Sequence, residues 1–334
     1  MNVRLAALPL LSALLSLAIP VLHAADDPAD VLRQTYPAAP GGKLILKTDR
    51  GNLTIAGGDH ATAEIVVTRN VKHASGAKAR ELLADHQVTF SQENGVIRVE
   101  ADLKGHDRWN WRGPQLEVDI QVKLPREFGV DAETAGGSVQ ASHLKGSVSV
   151  RTAGGSLHLE SLEGSVTGRT SGGSIKGSHL TGAVEVNTSG GSITLEEVSG
   201  DRLKAATSGG SIRMARVSAP AEVRTSGGSI ALEASGAPLS ASTSGGGIDA
   251  TFTGRPTGDI TLKTSAGSIT ATLPADAAFQ LDADTSAGSV RSEFPVTVTT
   301  TRSDDRSELK GPVNGGGSIL KLRTSAGSIR VKKG

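Results

Sequence analysis

Ten threonines, at 134, 152, 170, 188, 207, 225, 243, 264, 285 and 324, each open a short segment rich in glycine and serine. Four of these segments are identical, T-S-G-G-S-I, and begin at Thr170, Thr188, Thr207 and Thr225. Three chemistries use such residues: a nucleophilic hydroxyl, a calcium-binding turn and a phosphate cradle. A nucleophile needs a base beside it, and no copy carries a histidine and an aspartate at fixed spacing. Calcium-binding glycine repeats place an aspartate just beyond the glycines, where this chain has serine and isoleucine. A phosphate loop ends in G-K-[ST] and opens a helix, which none of the ten does. The expected roles of threonine and serine are therefore turn and ladder hydrogen bonds. No catalytic residue, cofactor site or metal site is expected in the repeats.

Other chemistry-bearing groups lie outside the hexapeptide. Of the eight histidines, His143 and His179 share a column when the segments are aligned. Two repeats of separation, roughly 10 Å, is too far to share one metal. A basic residue often precedes the threonine: Arg151, Arg169, Arg224, Lys263 and Arg323. Stacked, these form a candidate basic stripe that suits an anionic glycan or lipid surface. Asn187, Ala206, Ser242 and Asp284 interrupt it, and a solvated face is the plainer reading. The candidate partner loop outside the repeats is His106–Gly113, in which Arg108, Trp109, Trp111 and Arg112 combine both tryptophans of the chain with two arginines. Such a cluster stacks on sugar rings or meets a protein partner, or else the tryptophans close the end of a core.

The elements that carry these residues follow from the spacing. Successive threonines fall 18, 18, 18, 19, 18, 18, 21, 21 and 39 residues apart, the period of a chain coiling on itself. Aligned on their threonines, the units repeat apolar residues two apart: Ile175, Leu180, Val184 and Val186 in one, Val139, Leu144, Val148 and Val150 in another. Residues two apart share a strand face, so these positions form inward ladders. Gly168 stands as a gap in one ladder. The Gly-Gly pair is expected to supply positive φ at a sharp corner, with a second corner near Gly146, Gly164, Gly182 and Gly200. The fold class is all-β: a right-handed β-solenoid, or single-stranded β-helix, with about 18–21 residues per rung. An antiparallel sandwich is the rival for many short strands with regular turns.

Residues 43–130 read as an irregular β-rich lead-in to the repeats, and residues 131–334 as the solenoid, continuous with it. The lead-in holds strand–turn–strand at Leu44–Ile55, a strand at Ala63–Arg69 and a short helix over Gly76–His86. A hairpin turns at Asn94–Gly95, and a strict alternation over Leu116–Leu124 is ended by Pro125. The helix, with Leu82 and Leu83 on its apolar side, is placed to cover the open end of the core. Loosening is expected after Thr243, with a polar excursion at 294–317 before the last two segments close the stack.

Residues 1–25 read as a signal peptide: Arg4, an apolar run from Leu5 to Leu22, and small residues at Ala24 and Ala25. A retained anchor is the alternative, but the run is short for a span and acidic Asp26 and Asp27 follow it. Residues 26–42, with Pro28, Pro37 and Pro40, read as a linker. No later segment is apolar enough to span a bilayer. The chain has 35 basic and 34 acidic residues, a balance that argues against nucleic acid. Cysteine is absent, which excludes disulfides, thiolate chemistry and a lipidated cysteine.

Strand–turn–strand at Leu44–Ile55, a strand ending in Leu124 and Pro125, and many T-S-G-G-S-I turns together resemble the bacterial putative-adhesin family of β-strand-repeat domains. The resemblance runs from Lys43 to Val331. It implies a β-solenoid in the bacterial envelope, periplasmic or secreted, and supplies no catalytic residues. The expected function is a non-enzymatic binding or structural module whose partner is an envelope glycan, a lipid surface or a protein. An envelope-stress or assembly factor acting through a protein partner is the alternative. A polysaccharide-degrading β-helix enzyme ranks last, because no column supplies the clustered Asp, Lys and Arg it requires.

Overall fold

The structure is a computed structural model, and it describes residues 29–104, 115–297 and 307–334. Arg108, Trp109, Trp111 and Arg112, and the segment read as a signal peptide, lie outside the described residues.

Among the described residues the chain is almost wholly β-structure, with one helix, and it coils as a two-faced solenoid. Each rung is a strand on face one, a glycine corner, and a strand on face two. Three rungs show the rule. In β11 (Leu157–Thr170), β12 (Ile175–Thr188) and β13 (Ile193–Thr207) the first half pairs on face two and the second half on face one. The pairing is parallel and in register, Leu157 on Ile175 on Ile193, and each of these side chains is at most 1% exposed. Parallel ladders with both edges used satisfy every backbone group while stacking identical apolar residues. The apolar ladders therefore occupy the expected places. Gly168 faces inward among Leu157, Leu159 and Val186, where a methyl group would sit 3.2–3.4 Å from their side chains. The extra residue in the fourth unit is absorbed as a register shift between Thr181 and Ala183.

The same two-strand rung continues through β14 (Ile212–Val217), β15 (Ala221–Arg224), β16 (Ile230–Ala234), β17 (Leu239–Thr243), β18 (Ile248–Phe252), β19 (Ile260–Ala266) and β20 (Ile269–Leu273). At the end the order of the stack departs from the order of the chain. β21 (Phe279–Ala287) does not stack on β19. The last stretch, β24 (Ile319–Ala326) and β25 (Ile329–Lys333), inserts between them, with β24 paired to β19 on one side and β21 on the other. On face two β25 likewise separates β20 from β22 (Val290–Ser292). The final two segments thus do not close the stack; the rung of Thr285 does, and β23 (Ser307–Val313) caps it antiparallel. The insertion hydrogen-bonds both edges of the last strand, and the antiparallel cap covers the edge that remains.

The N-terminal end has the same design. β2 (Gly42–Thr48) and β3 (Asn52–Gly58) form a rung held between the pair β6 (Val96–Leu103) and β7 (Gln115–Pro125) and the pair β8 (Phe128–Thr134) and β9 (Val139–Lys145). β10 (Val148–Thr152) then joins β8 to β11. Antiparallel strands again cap the end: β5 (His86–Glu93) on β6, and β4 (Thr62–Lys72) on β7. The β5–β6 turn places Asn94 and Gly95 at φ 49° and 75°, as the sequence required. Helix α1 (Gly76–Asp85) runs from β4 to β5 and buries Ala79 and Leu82 against the core end.

Ala29–Pro37, inside the stretch read as a linker, is strand β1, antiparallel to β4 over nine residues. Its only apolar contacts come from Leu32 and Tyr36, half-buried on one side. An edge strand with two half-buried apolar residues, an exposed Val31 and a terminal proline carries little pattern in sequence.

Candidate functional site

The repeated threonines are interior. Thr152 to Thr264 and Thr324 are 5–6% exposed, and Thr285 is fully buried. Each hydroxyl of Thr134 and its successors donates to the carbonyl of a glycine one rung away, at 2.7–3.0 Å. In most copies it also accepts from the glycine amide three residues on, as Gly173 N–H to Thr170 Oγ1 at 3.2 Å. The hydroxyl is spent on the corner, with donor and acceptor both used. The ladder also records the insertion: Thr324 bonds Gly267, and Thr285 bonds Gly327. A second ladder lies outside it, in which Ser174 N–H donates to Ser156 Oγ at 3.2 Å, and so on up the stack.

Positive φ occurs at this corner in Gly288 and Gly327, but in the identical copies the glycines act for a different reason from the one expected. None of the eight in the four identical copies lies in the left-handed region. The second glycine is required by close approach: a Cβ on Gly173 would lie 2.0 Å from Gly155 O, and one on Gly191 2.0 Å from Gly173 O. The second corner lies where expected, and it is there that positive φ occurs, with Gly146, Gly164, Gly182 and Gly200 at 114–144°.

Sequence reasoning missed a column beside that corner. His143, Ser161, His179, Glu197 and Arg216 all adopt φ of 53–58°, a left-handed conformation that costs about 1 kcal/mol or more for a residue with a Cβ. Histidine has some preference for this conformation, but Ser161, Glu197 and Arg216 do not announce it. His179 Nε2 lies 2.7 Å from Glu197, and Glu197 is 3.0 Å from Arg216 Nε. His143 and His179 are separated by Ser161, two rungs apart. No cluster of three metal-binding side chains occurs among the described residues.

The basic column falls on face one. Arg151 pairs with Asp131 at 3.3 Å, Arg169 with Glu185 at 2.8 Å, Arg224 with Glu222 at 2.5 Å and Arg323 with Asp282 at 2.5 Å. The hydrogen bond from Arg169 is the main reason the Glu185 carboxyl sits below its ordinary range. Burial alone would raise Asp282, but the Arg323 hydrogen bond and the nearby cations bring it below the usual value. Lys263 differs: it is exposed and has no ion pair among the described residues. Around it opens a cleft of about 410 Å³, lined by Ser242, Lys263, Ser265, Asp284, Arg323 and Ser325 among others.

A buried polar cluster sits at the other end. Arg69 donates to the carbonyls of Leu83 and His86 at 2.9 Å each and pairs with Asp30. His86 is 2% exposed, and neither ring nitrogen has a hydrogen-bond partner among the described residues. Burial, then the Arg69 charge, holds its pKa at about 4.

A comparison with curated protein sequences returned no match. Among solved structures, a putative adhesin from Bacteroides fragilis is 14% identical with a TM-score of 0.34, covering 90% of this chain and 97% of its own. A putative lipid binding protein from Parabacteroides distasonis is 13% identical with a TM-score of 0.36, covering 91% and 97%. A putative adhesin from the same species is 11% identical at 0.36, covering 90% and 97%. At these values the likenesses carry no argument about function. The family model described as Toastrack DUF4097, a domain of unknown function, matches residues 83–332, about three-quarters of the sequence. The chain belongs to the Toastrack DUF4097 family.

Proposed function

We propose that this chain is an exported, non-enzymatic binding module of the bacterial envelope, with a long two-faced slab as its working surface. One observation carries the reading. The repeated threonines, serines and glycines are consumed in stacking, whereas the exposed columns change from rung to rung. The face-one column runs Arg151, Arg169, Asn187, Ala206, Arg224, Ser242, Lys263, Arg323 and Asp284. Regular rungs at ~4.8 Å make a slab roughly 50 Å long, suited to an extended partner. The apolar N-terminal run and the lack of cysteine support export without disulfides. No helix among the described residues is long and apolar enough to cross a membrane.

The test is fractionation of native cells, with the purified protein then assayed for saturable binding to isolated envelope and for turnover of acidic polysaccharide. Extracytoplasmic location with binding and no turnover is the expected result. A cytoplasmic location, or catalytic depolymerisation, overturns the reading.

A further inference from the structure

The insertion of β24 brings together residues that the chain keeps 60 positions apart. Ser242 lies beside Lys263, Lys263 beside Arg323, and Arg323 beside Asp284, in one row across four consecutive rungs. Two cations are therefore adjacent, ~4.8 Å apart along the ladder. Like charges side by side on a sheet oppose its pairing, so the stack gains nothing from this arrangement. Lys321 stands in the next column, beside Thr261 and Asp282. Elsewhere on this face Arg151, Arg169 and Arg224 each reach a carboxylate. Lys263 does not.

The surroundings are built for a polar ligand. Arg323 is fixed by its bonds to Asp282 O at 2.8 Å and to Asp282 Oδ2 at 2.5 Å. Its charge is thus held in place, while the Lys263 ammonium, without an ion pair among the described residues, is free to reach a ligand. Ser265, Ser286 and Ser325 present exposed hydroxyls along one wall, and small Ser242 leaves the cleft open. Asp284 lines the same cleft, one rung from Arg323. Val31 and Ile319 are the well-exposed large apolar side chains among the described residues, and neither lines the cleft.

We infer that this cleft binds a carboxylated sugar unit of an acidic glycan. Lys263, backed by Arg323, meets the carboxylate, and the serine hydroxyls meet the ring hydroxyls. The inference rests on the binding-module reading and names its ligand class. Titration calorimetry of the full chain with trigalacturonate tests it, with maltotriose and inorganic phosphate as comparison ligands. The expected result is saturable binding of trigalacturonate alone, about tenfold weaker in Lys263→Gln and unchanged in Lys176→Gln on face two. Melting curves of both variants matching the parent exclude misfolding as the cause. Equal affinity in Lys263→Gln overturns the site, and phosphate binding as tight as trigalacturonate overturns the sugar assignment. No trigalacturonate binding, with envelope binding intact, also removes this inference but leaves the module reading standing.

Discussion

Alanine at Gly191 and alanine at Gly190 are predicted to differ by several kcal/mol, although the two glycines are neighbours in one turn. A Cβ on Gly191 lies 2.0 Å from Gly173 O and 2.4 Å from Gly173 C, well inside van der Waals contact. The contact is backbone on backbone, so no rotamer relieves it; the corner must open by more than ~1 Å. Opening strains the bonds that close the corner: Thr188 Oγ1 to Gly173 O at 2.8 Å and Gly190 N–H to Ser171 O at 2.9 Å. Two weakened hydrogen bonds at about 1 kcal/mol each, added to an overpacking cost of 1–3, give about 3–5 kcal/mol for Gly191→Ala. A Cβ on Gly190 is 3.5 Å from Gly172 O, an ordinary contact. Gly190→Ala is therefore expected within ~0.5 kcal/mol of the parent, helped by lower entropy of the unfolded chain. The molecule has already made this substitution: Ala266, Ala287 and Ala326 occupy the first position of later corners, and the second is glycine in all ten. Urea unfolding followed by circular dichroism gives the global difference. Hydrogen exchange at the Thr188–Ile193 amides localises it, which matters because a solenoid need not unfold in one step. Equal losses in the two variants, or less than about 1 kcal/mol lost in Gly191→Ala, would refute the close-approach argument.

Thr188→Val keeps the shape of the buried residue but strands Gly173 O and Gly191 N–H; it should cost about 1–3 kcal/mol in urea unfolding, while Thr188→Ser loses less. His86 is neutral in the folded protein, with a pKa of about 4 against an ordinary 6.5, so folding stability is full above pH ~6.5. It then falls as pH drops towards 4, by on the order of 3 kcal/mol, and His86→Leu should remove that part of the acid sensitivity; identical pH profiles for parent and variant would sink the prediction. Ser161→Gly relieves a left-handed conformation at φ 53° and should raise stability by about 0.5–1 kcal/mol, read as a higher urea midpoint at unchanged slope.

The local grammar was determined by sequence alone. Inward ladders such as Ile175, Ile193 and Ile212, the hairpin at Asn94–Gly95, and the strand ended by Pro125 all follow from periodicity and turn chemistry, which act between near neighbours. The corner hexapeptide was legible as a corner for the same reason. Tertiary structure alone decided which rung touches which. The segments at Thr264, Thr285 and Thr324 share T-S-A-G-S, so each offers the same ladder to any neighbour. Their order is set by edges that must be covered and by connections long enough to skip a rung. From that order come the contact of Lys263 with the Arg323 rung and the cleft around it. The left-handed column at His143–Arg216 and the edge strand at Ala29–Pro37 depend on tertiary structure too, because backbone geometry imposed by stacking leaves little mark on residue type.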